Sequence, residues 1–277
     1  MTTIWTDSTA DLSPFLIERY NLSVIPLYVL LDDKTYLDGV EIHLPQLFDF
    51  VSRTGRLPKT SAASIGDFLK RFEAPGPHVY IGISSQLSAT LKNAILAREN
   101  LGRDDIYIVD SLNLSTGIGM LAIEAAELRD AGYDAAQIAS EISQRVPKVR
   151  TSFIIDTLDY LYKGGRCSAL QNLMGSLLSI RPIIEVRKDG TLGVRSKTRG
   201  VRRKGLMTMI SDFEKDLPQV WLKRVFVTHT GCDEDAEFLK QELLNRAPIE
   251  EILITYAGSV IASHCGPNTI GILYRLK

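Results

Sequence analysis

Cysteine is scarce in this chain. The 277 residues hold three, Cys167, Cys232 and Cys265, widely spaced, with no CxxC pair and no Cys/His metal spacing. That excludes a disulfide framework and fits a reducing compartment. Charge of one sign is also missing. Thirty-two basic residues stand against 33 acidic ones, a net charge of −1, so no global field draws the chain to nucleic acid or an anionic membrane. No apolar run reaches the roughly 18 to 20 residues that span a bilayer. The longest contender, LSVIPLYVLL, is short and holds Pro26. The opening MTTIWTDSTADL lacks the basic and apolar regions of a signal peptide. A cytoplasmic protein with no integral membrane segment is expected. Internal repeats and low-complexity tracts are absent. So are GxGxxG, GxxxxGK[ST] and GxSxG, which removes the usual sequence signs of a nucleotide site and a nucleophile elbow.

What is there is ordinary globular composition, 45% hydrophobic and 23% charged, arranged in a readable order. TIWTD leads to LSPFLIERY, HVYIGISS to LSATLKNAILAREN, and DIYIVDS to STGIGMLAIEAAELRDAG. Strand and helix alternating at this spacing imply a parallel sheet with covering helices. LSVIPLYVLLDDKTYLDG interrupts the rhythm as an extended segment returning at DDK. After about Pro147 strands dominate: RTSFIID, PIIEVRKDGTLGVRSK, RVFVTHT, EEILITY and IGILYRL. The second contains an Asp-Gly hairpin signal. Two helices, KGLMTMISDFEKDL and DEDAEFLKQELLNRA, are interleaved. The fold class is therefore α/β in two domains. Residues 1–150 form a parallel-sheet α/β domain, and residues 151–277 a mixed-sheet α+β domain with a basic hairpin.

Polar groups cluster where strands end, the place where open α/β sheets bind ligands. Four turns are rich in hydroxyls: Asp7, Ser8 and Thr9; Thr60, Ser61 and Ser64; Ser84, Ser85 and Ser88; Ser111, Asn113 and Ser115. Each alone reads as a helix cap. Together they raise the prospect of a shared anion site. His264 precedes a Gly-Pro turn, near the C-terminus, and reads as a structural ring, a catalytic base or a ligand-holding group. Ser88, His264 and Asp7 could be drawn as a hydrolase triad, though no nucleophile elbow supports it.

Residues 117 to 126 are nearly all apolar, with Glu124 the exception. A helix apolar all round is usually buried. Its small residues serve close packing or leave room for a long apolar ligand. Gly164 and Gly165 suggest a turn that ends a helix and exposes Arg166. From Arg187 to Lys204 eight basic residues accompany one acid. No aromatic interrupts them, which disfavours nucleic acid. A solvated hairpin face or a dock for an acidic partner remains. With Arg166, this run reads as too polar to line an acyl tunnel.

Taken in order, TDSTADL, KTSAAS, ISSQLSATLKNA, VDSLNLSTGIGML, LDYLYKGGRCS, LLSIRPIIEVRKDGTLGVRSKTRG and GSVIASHCGPNTIGILY resemble the DegV family from Thr6 to Tyr274. That family includes the fatty-acid-binding subunits of bacterial fatty acid kinase (FakB). The resemblance implies a two-domain protein that buries a long-chain fatty acid and is not itself catalytic. It places the carboxylate at Thr60, Ser88 and His264, with Ser61 and Ala89 as secondary positions. It implies no cofactor or metal. It implies a partner, a dihydroxyacetone-kinase-like subunit that phosphorylates the carboxylate for phospholipid synthesis, met through Arg166 and Arg199. The family's TSQPS turn has Ala62 and Ala63 here, its GPG has Asn268, and its LSGTYQ reads LSATLKN. Asn tolerates left-handed backbone, so Asn268 can keep the turn. A serine-type esterase and a binder of another small amphipathic carboxylate are the competing readings.

Overall fold

A computed structural model of the chain describes residues 1–166 and 180–277. Cys167 lies outside the described residues. Four parallel strands form the first sheet in the order β2-β1-β6-β7. They are β1 (Thr3–Asp7), β2 (Leu22–Ile25), β6 (His78–Gly82) and β7 (Ile106–Asp110). The run read as an extended return gives β3 (Tyr28–Leu31) and β4 (Lys34–Leu37), which pair with β5 (Lys59–Ser61) in a separate antiparallel sheet. Val29 lies opposite Thr60 in that pairing, so this small sheet carries the Thr60 turn.

The second large sheet is mixed, in the order β10-β9-β8-β13-β11-β12. Its strands are β8 (Val149–Ile154), β9 (Ile180–Val186), β10 (Leu192–Arg199), β11 (Val220–His229), β12 (Glu251–Tyr256) and β13 (Ile270–Leu276). Only β11 and β12 run parallel among these pairs. The extended runs read after about Pro147 thus return as these strands. The Asp-Gly turn joins β9 to β10, with Gly190 at φ +84°, the left-handed region that glycine enters without strain.

Helix α5 (Thr116–Asp130) lies between the two large sheets and is buried nearly all round. Its small residues serve close approach. A Cβ on Gly119 would sit 2.7 Å from the Ala10 carbonyl, and one on Gly117 would sit 2.2 Å from Asn113 Oδ1. The lone acid in its apolar stretch, Glu124, is held between Arg145 (2.7 Å) and Arg275 (2.8 Å). On the same helix Glu127 accepts from Arg224 and Lys223. Arg224, almost fully buried, also reaches Glu251 and the Tyr20 hydroxyl. Buried charges need such pairing. One apolar core accordingly runs from Ile4 and Ile81 of the first sheet through Ile118 to Phe226 and Leu273 of the second.

Helix α8 (Arg202–Asp216) and helix α9 (Asp233–Leu244) cover the other face of the second sheet. They absorb part of the basic run. Arg202 bonds Asp235 (2.5 Å), Asp156 (2.7 Å) and the Asn268 carbonyl (2.6 Å). Arg195 bonds Asp212 at 2.7 Å. Arg203 stacks over the Phe238 ring. The reading of this run as one free charged face therefore needs correction: at least three of its cations are structural.

Candidate functional site

The segment SVIASHC, read only as a small apolar run, is a short helix, α10 (Ser259–Cys265). Its start is fixed by carboxylates from the first half of the chain. Asp11 accepts from the Gly258 N–H (2.7 Å) and Asp38 from the Ser259 N–H (2.8 Å). Burial pushes the Asp38 carboxyl up to about 6. A wide surface cleft opens over these two acids, but their carboxylates are used in holding α10. The far end of α10 carries His264, followed by Gly266 at φ +79° and Asn268 at φ +57°. Asn268 thus adopts the left-handed backbone expected of it. Gly266 is required by contact as well, because a Cβ there would lie 2.8 Å from the Tyr160 ring.

His264 meets Thr60. The Thr60 Oγ1 and His264 Nε2 atoms are 2.7 Å apart, across 204 residues of sequence. The other ring nitrogen, Nδ1, is buried with no hydrogen-bond partner among the described residues. It lies against Gly164, the residue that closes helix α7 (Asp159–Lys163), where a Cβ would come within 2.5 Å of it. Burial, and then the Arg166 charge, push the His264 imidazole down to about 4. At neutral pH the ring is therefore uncharged.

Ser88 stands across the same cavity, one residue before Ala89, the cap of helix α4 (Thr90–Leu101). Its Oγ shares a hydrogen bond with Thr90 Oγ1 (2.8 Å) and accepts from the Thr90 N–H (3.3 Å). Ala89 is exposed and absent from the cavity lining. Asn93 of α4 donates to the Ala63 carbonyl at 2.8 Å, tying the Thr60 turn to the Ser88 helix. Ala62 and Ser61 line the cavity with Thr60.

The remaining walls are mostly aliphatic: Leu27, Ile83, Leu87, Leu114, Leu192 and Ile261 among them. Leu114, Ile261 and Cys265 also border an inner cavity with Phe153, Ala257 and Leu273. Together they mark an apolar path from the hydroxyl rim inward between the sheets. Both spaces are narrow, about 50 and about 30 Å³, so a long guest must spread those side chains. The α5 residues 117 to 126 line neither cavity. The alternative that their small side chains make room for a ligand is thereby corrected: they admit the neighbouring chain instead, and α10 supplies the wall.

Arg166 sits at the cavity rim, not apart from it as its grouping with the basic run suggested. Its Nη1 donates to the Gly164 carbonyl (2.6 Å). Arg199 ends β10, is exposed, and makes no ion pair among the described residues. Leu192 reaches the cavity because the β9–β10 turn folds over the first sheet. There the fully buried Ser84 donates to the Gly190 carbonyl (2.9 Å), and a Cβ on Gly190 would lie 2.3 Å from Ser84 Oγ.

The four hydroxyl turns do not all converge. Asp7 accepts from the Tyr80 hydroxyl (2.8 Å), the Ile83 N–H (3.0 Å) and both donors of Thr9, so it caps its own turn. Ser64 caps helix α3 (Ile65–Phe72). Ser111 bonds within its loop and Ser115 donates to Asp11. The possible triad is not assembled: Asp7, Ser88 and His264 each have other partners. Asn93 and Leu192 were missed in the sequence, since neither belongs to a polar cluster near a strand end, while Gly164 reads there only as part of a turn that ends a helix, which it is. Among the described residues no group of three or more His, Cys, Asp or Glu could hold a metal ion. No helix there is long and apolar enough to cross a membrane.

Comparison with known proteins covers the whole chain. The model described as "Uncharacterised protein, DegV family" matches residues 1–277. A DegV domain-containing protein of Caldanaerobacter subterraneus subsp. tengcongensis is 32% identical, over 99% of this chain and 98% of its own. A solved DegV family protein from Thermus thermophilus, described by its fatty acid binding, superposes with a TM-score of 0.93. It is 30% identical, covering 100% of this chain and 99% of its own. The Streptococcus pneumoniae fatty acid kinase B3 protein, loaded with linoleic acid, shares the fold at a TM-score of 0.88 and 21% identity, with 100% of both chains covered.

Proposed function

This chain belongs to the DegV family, and from that premise we propose that it binds a long-chain fatty acid without catalysing its turnover and presents the carboxylate to a separate kinase subunit. The observation that carries the reading is the Thr60–His264 pair at the mouth of an apolar path. The neutral ring leaves a choice of tautomer. With the proton on Nε2, His264 donates to Thr60 Oγ1, and Nδ1 carries the lone pair. That leaves the Thr60 hydroxyl free to donate outward. Ser88 Oγ, already accepting from Thr90 N–H, has its own proton to give. Two hydroxyl donors then converge on one carboxylate. His264 acts through Thr60 rather than by direct contact, and Ser61 flanks the head group.

The energetics favour such an arrangement. Each methylene buried from water is worth about 0.8 kcal/mol, so the tail supplies the affinity. A carboxylate is costly to bury unless hydrogen-bonded, so it stays at the rim, where a second protein can reach it. Arg166 stands at that rim, suited to charge developing on a phosphorylated head group. Arg199, exposed and unpaired among the described residues, is suited to meeting an acidic partner surface, where such charges act mainly on association rate.

Native mass spectrometry of freshly purified protein, followed by lipid extraction, tests the first part. About one long-chain fatty acid per chain is expected. Protein that is empty and also refuses added fatty acid refutes it. Thr60→Val, Ser88→Ala and His264→Ala should each weaken binding, with roughly 1.5 to 3 kcal/mol at stake for a hydrogen bond to a charged group. Turnover of chromogenic acyl esters would instead favour a hydrolase.

A further inference from the structure

A separate cleft of about 270 Å³ lies beside the β9–β10 hairpin and shares no lining residue with the acyl cavity. Its polar groups are Asn113, Arg150, Glu185, Arg187, Lys188 and Arg195. Four cations thus face one carboxylate. Glu185 is engaged by Arg195 (3.3 Å), which also holds Asp212. Among the described residues Arg150 donates only to the neutral Pro147 and Val149 carbonyls. Arg187 and Lys188 make no ion pair among the described residues. Asp189, next in the turn, accepts from Thr191 and is not part of the lining. The Thr191 bonds, and after them the field of Arg187, lower the Asp189 carboxyl, so Arg150 and Lys188 are the cations left without a counter-ion among the described residues.

An independent observation comes from Asn113, which is 4% exposed. Its Oδ1 accepts from the Leu114 N–H (3.0 Å) and from Thr151 Oγ1 (2.8 Å). Those two donors fix the amide orientation and direct the Nδ2 donors away from them. Nδ2 has no acceptor among the described residues, although the side chain borders the cleft. Nδ2 therefore reaches solvent on the cleft side and is free to donate there. A fixed amide donor beside a cluster of cations in excess of its carboxylates matches an oxyanion.

We propose that this cleft is a binding site for a multivalent phosphate-class oxyanion. Asn113 Nδ2 donates to it, and Arg150, Arg187 and Lys188 balance its charge. The site does not depend on the fatty-acid reading, because the two linings are disjoint.

Inorganic pyrophosphate is the probe, titrated calorimetrically into the full chain at low ionic strength. Saturable binding of one equivalent is expected. Arg150→Ala, Arg187→Ala and Asn113→Asp should each weaken it about tenfold or more, the effect of losing one charge-assisted bond. Asn113→Asp keeps the oxygen that accepts from Leu114 and Thr151 while removing the donor. Arg187 is exposed, so Arg187→Ala should melt like wild type and keep the test valid if the buried variant does not fold. Three results overturn the proposal: no saturable binding by wild type, binding indifferent to the variants, or equal competition by chloride at matched ionic strength.

Discussion

The buried imidazole of His264 makes a prediction that can be worked from its surroundings. Burial and the Arg166 charge hold its folded value at about 4, against about 6.5 in an unfolded chain. Between those values the unfolded chain binds the proton and the folded one does not, so stability falls as the pH falls. The shift of roughly 2.5 units corresponds to about 3 kcal/mol, at about 1.4 kcal/mol per unit. Asp38 opposes this. Its carboxyl is raised to about 6, so the folded chain takes up its proton first and gains stability as the pH drops through 6 toward the ordinary carboxylate range. Asp7 and Asp11, whose carboxyls burial also raises, act in the same sense as Asp38, so the wild-type slope is a balance of opposing contributions. His264→Gln removes one of them. The measurement is urea unfolding of delipidated wild type and variant, followed by circular dichroism at fixed ionic strength. At about pH 7 the variant should be less stable by the lost Thr60 contact. Toward about pH 4 the difference should move in the variant's favour by about 2 to 3 kcal/mol, saturating below. Asp38 and every other shared group drop out of the difference. Parallel curves, or a shift of the opposite sign, would refute the assignment of a neutral, enclosed ring.

Gly190→Ala should lower stability by about 1 to 3 kcal/mol, since φ is +84° and a Cβ would press on Ser84 Oγ; Ser84→Ala, which loses only the hydrogen bond, should cost about 1 kcal/mol by the same melting assay. Glu124→Ala leaves the buried Arg275 without its carboxylate, while the partly exposed Arg145 keeps Glu141, and should cost about 3 to 5 kcal/mol in denaturant unfolding. Arg199→Ala should leave the melting point unchanged and slow kinase-dependent acyl phosphate formation, the more so at low salt. Arg202→Ala should instead lower the melting point, because Arg202 joins Asp235, Asp156 and the Asn268 carbonyl.

Periodicity is local, and what depended on it was legible. The strand-helix alternation around β1, β6 and β7 and the Asp-Gly turn of β9–β10 could be read because each signal spans fewer than about ten residues. The apolar stretch of α5 announced a buried helix for the same reason. Its alternative meaning, space for a ligand, could be decided only by what lies opposite Gly117 and Gly119: the Asn113 side chain and the Ala10 carbonyl. Small residues next to a neighbouring chain and small residues next to a void look alike in one dimension.

Long-range partners were hidden for a different reason. Thr60 and His264 each stood out as polar residues at a turn, but a hydrogen bond across 204 residues leaves no mark in either neighbourhood. Only the family resemblance joined them. Nothing in their own neighbourhoods marks Asp11 or Asp38, yet they bond the first N–H groups of the helix that carries His264. The basic run taught the same point through charge. Eight cations in eighteen positions read as one surface, but a cation's role depends on the carboxylate it meets. Arg195 meets Asp212, Arg202 meets Asp235 and Asp156, and Arg199 meets none among the described residues. An arginine with its charge satisfied at home holds the fold together, and one without a partner is available to something else. That division separates Arg202 from Arg199 within three residues of sequence, and it is why one of them is expected to act on stability and the other on a second protein.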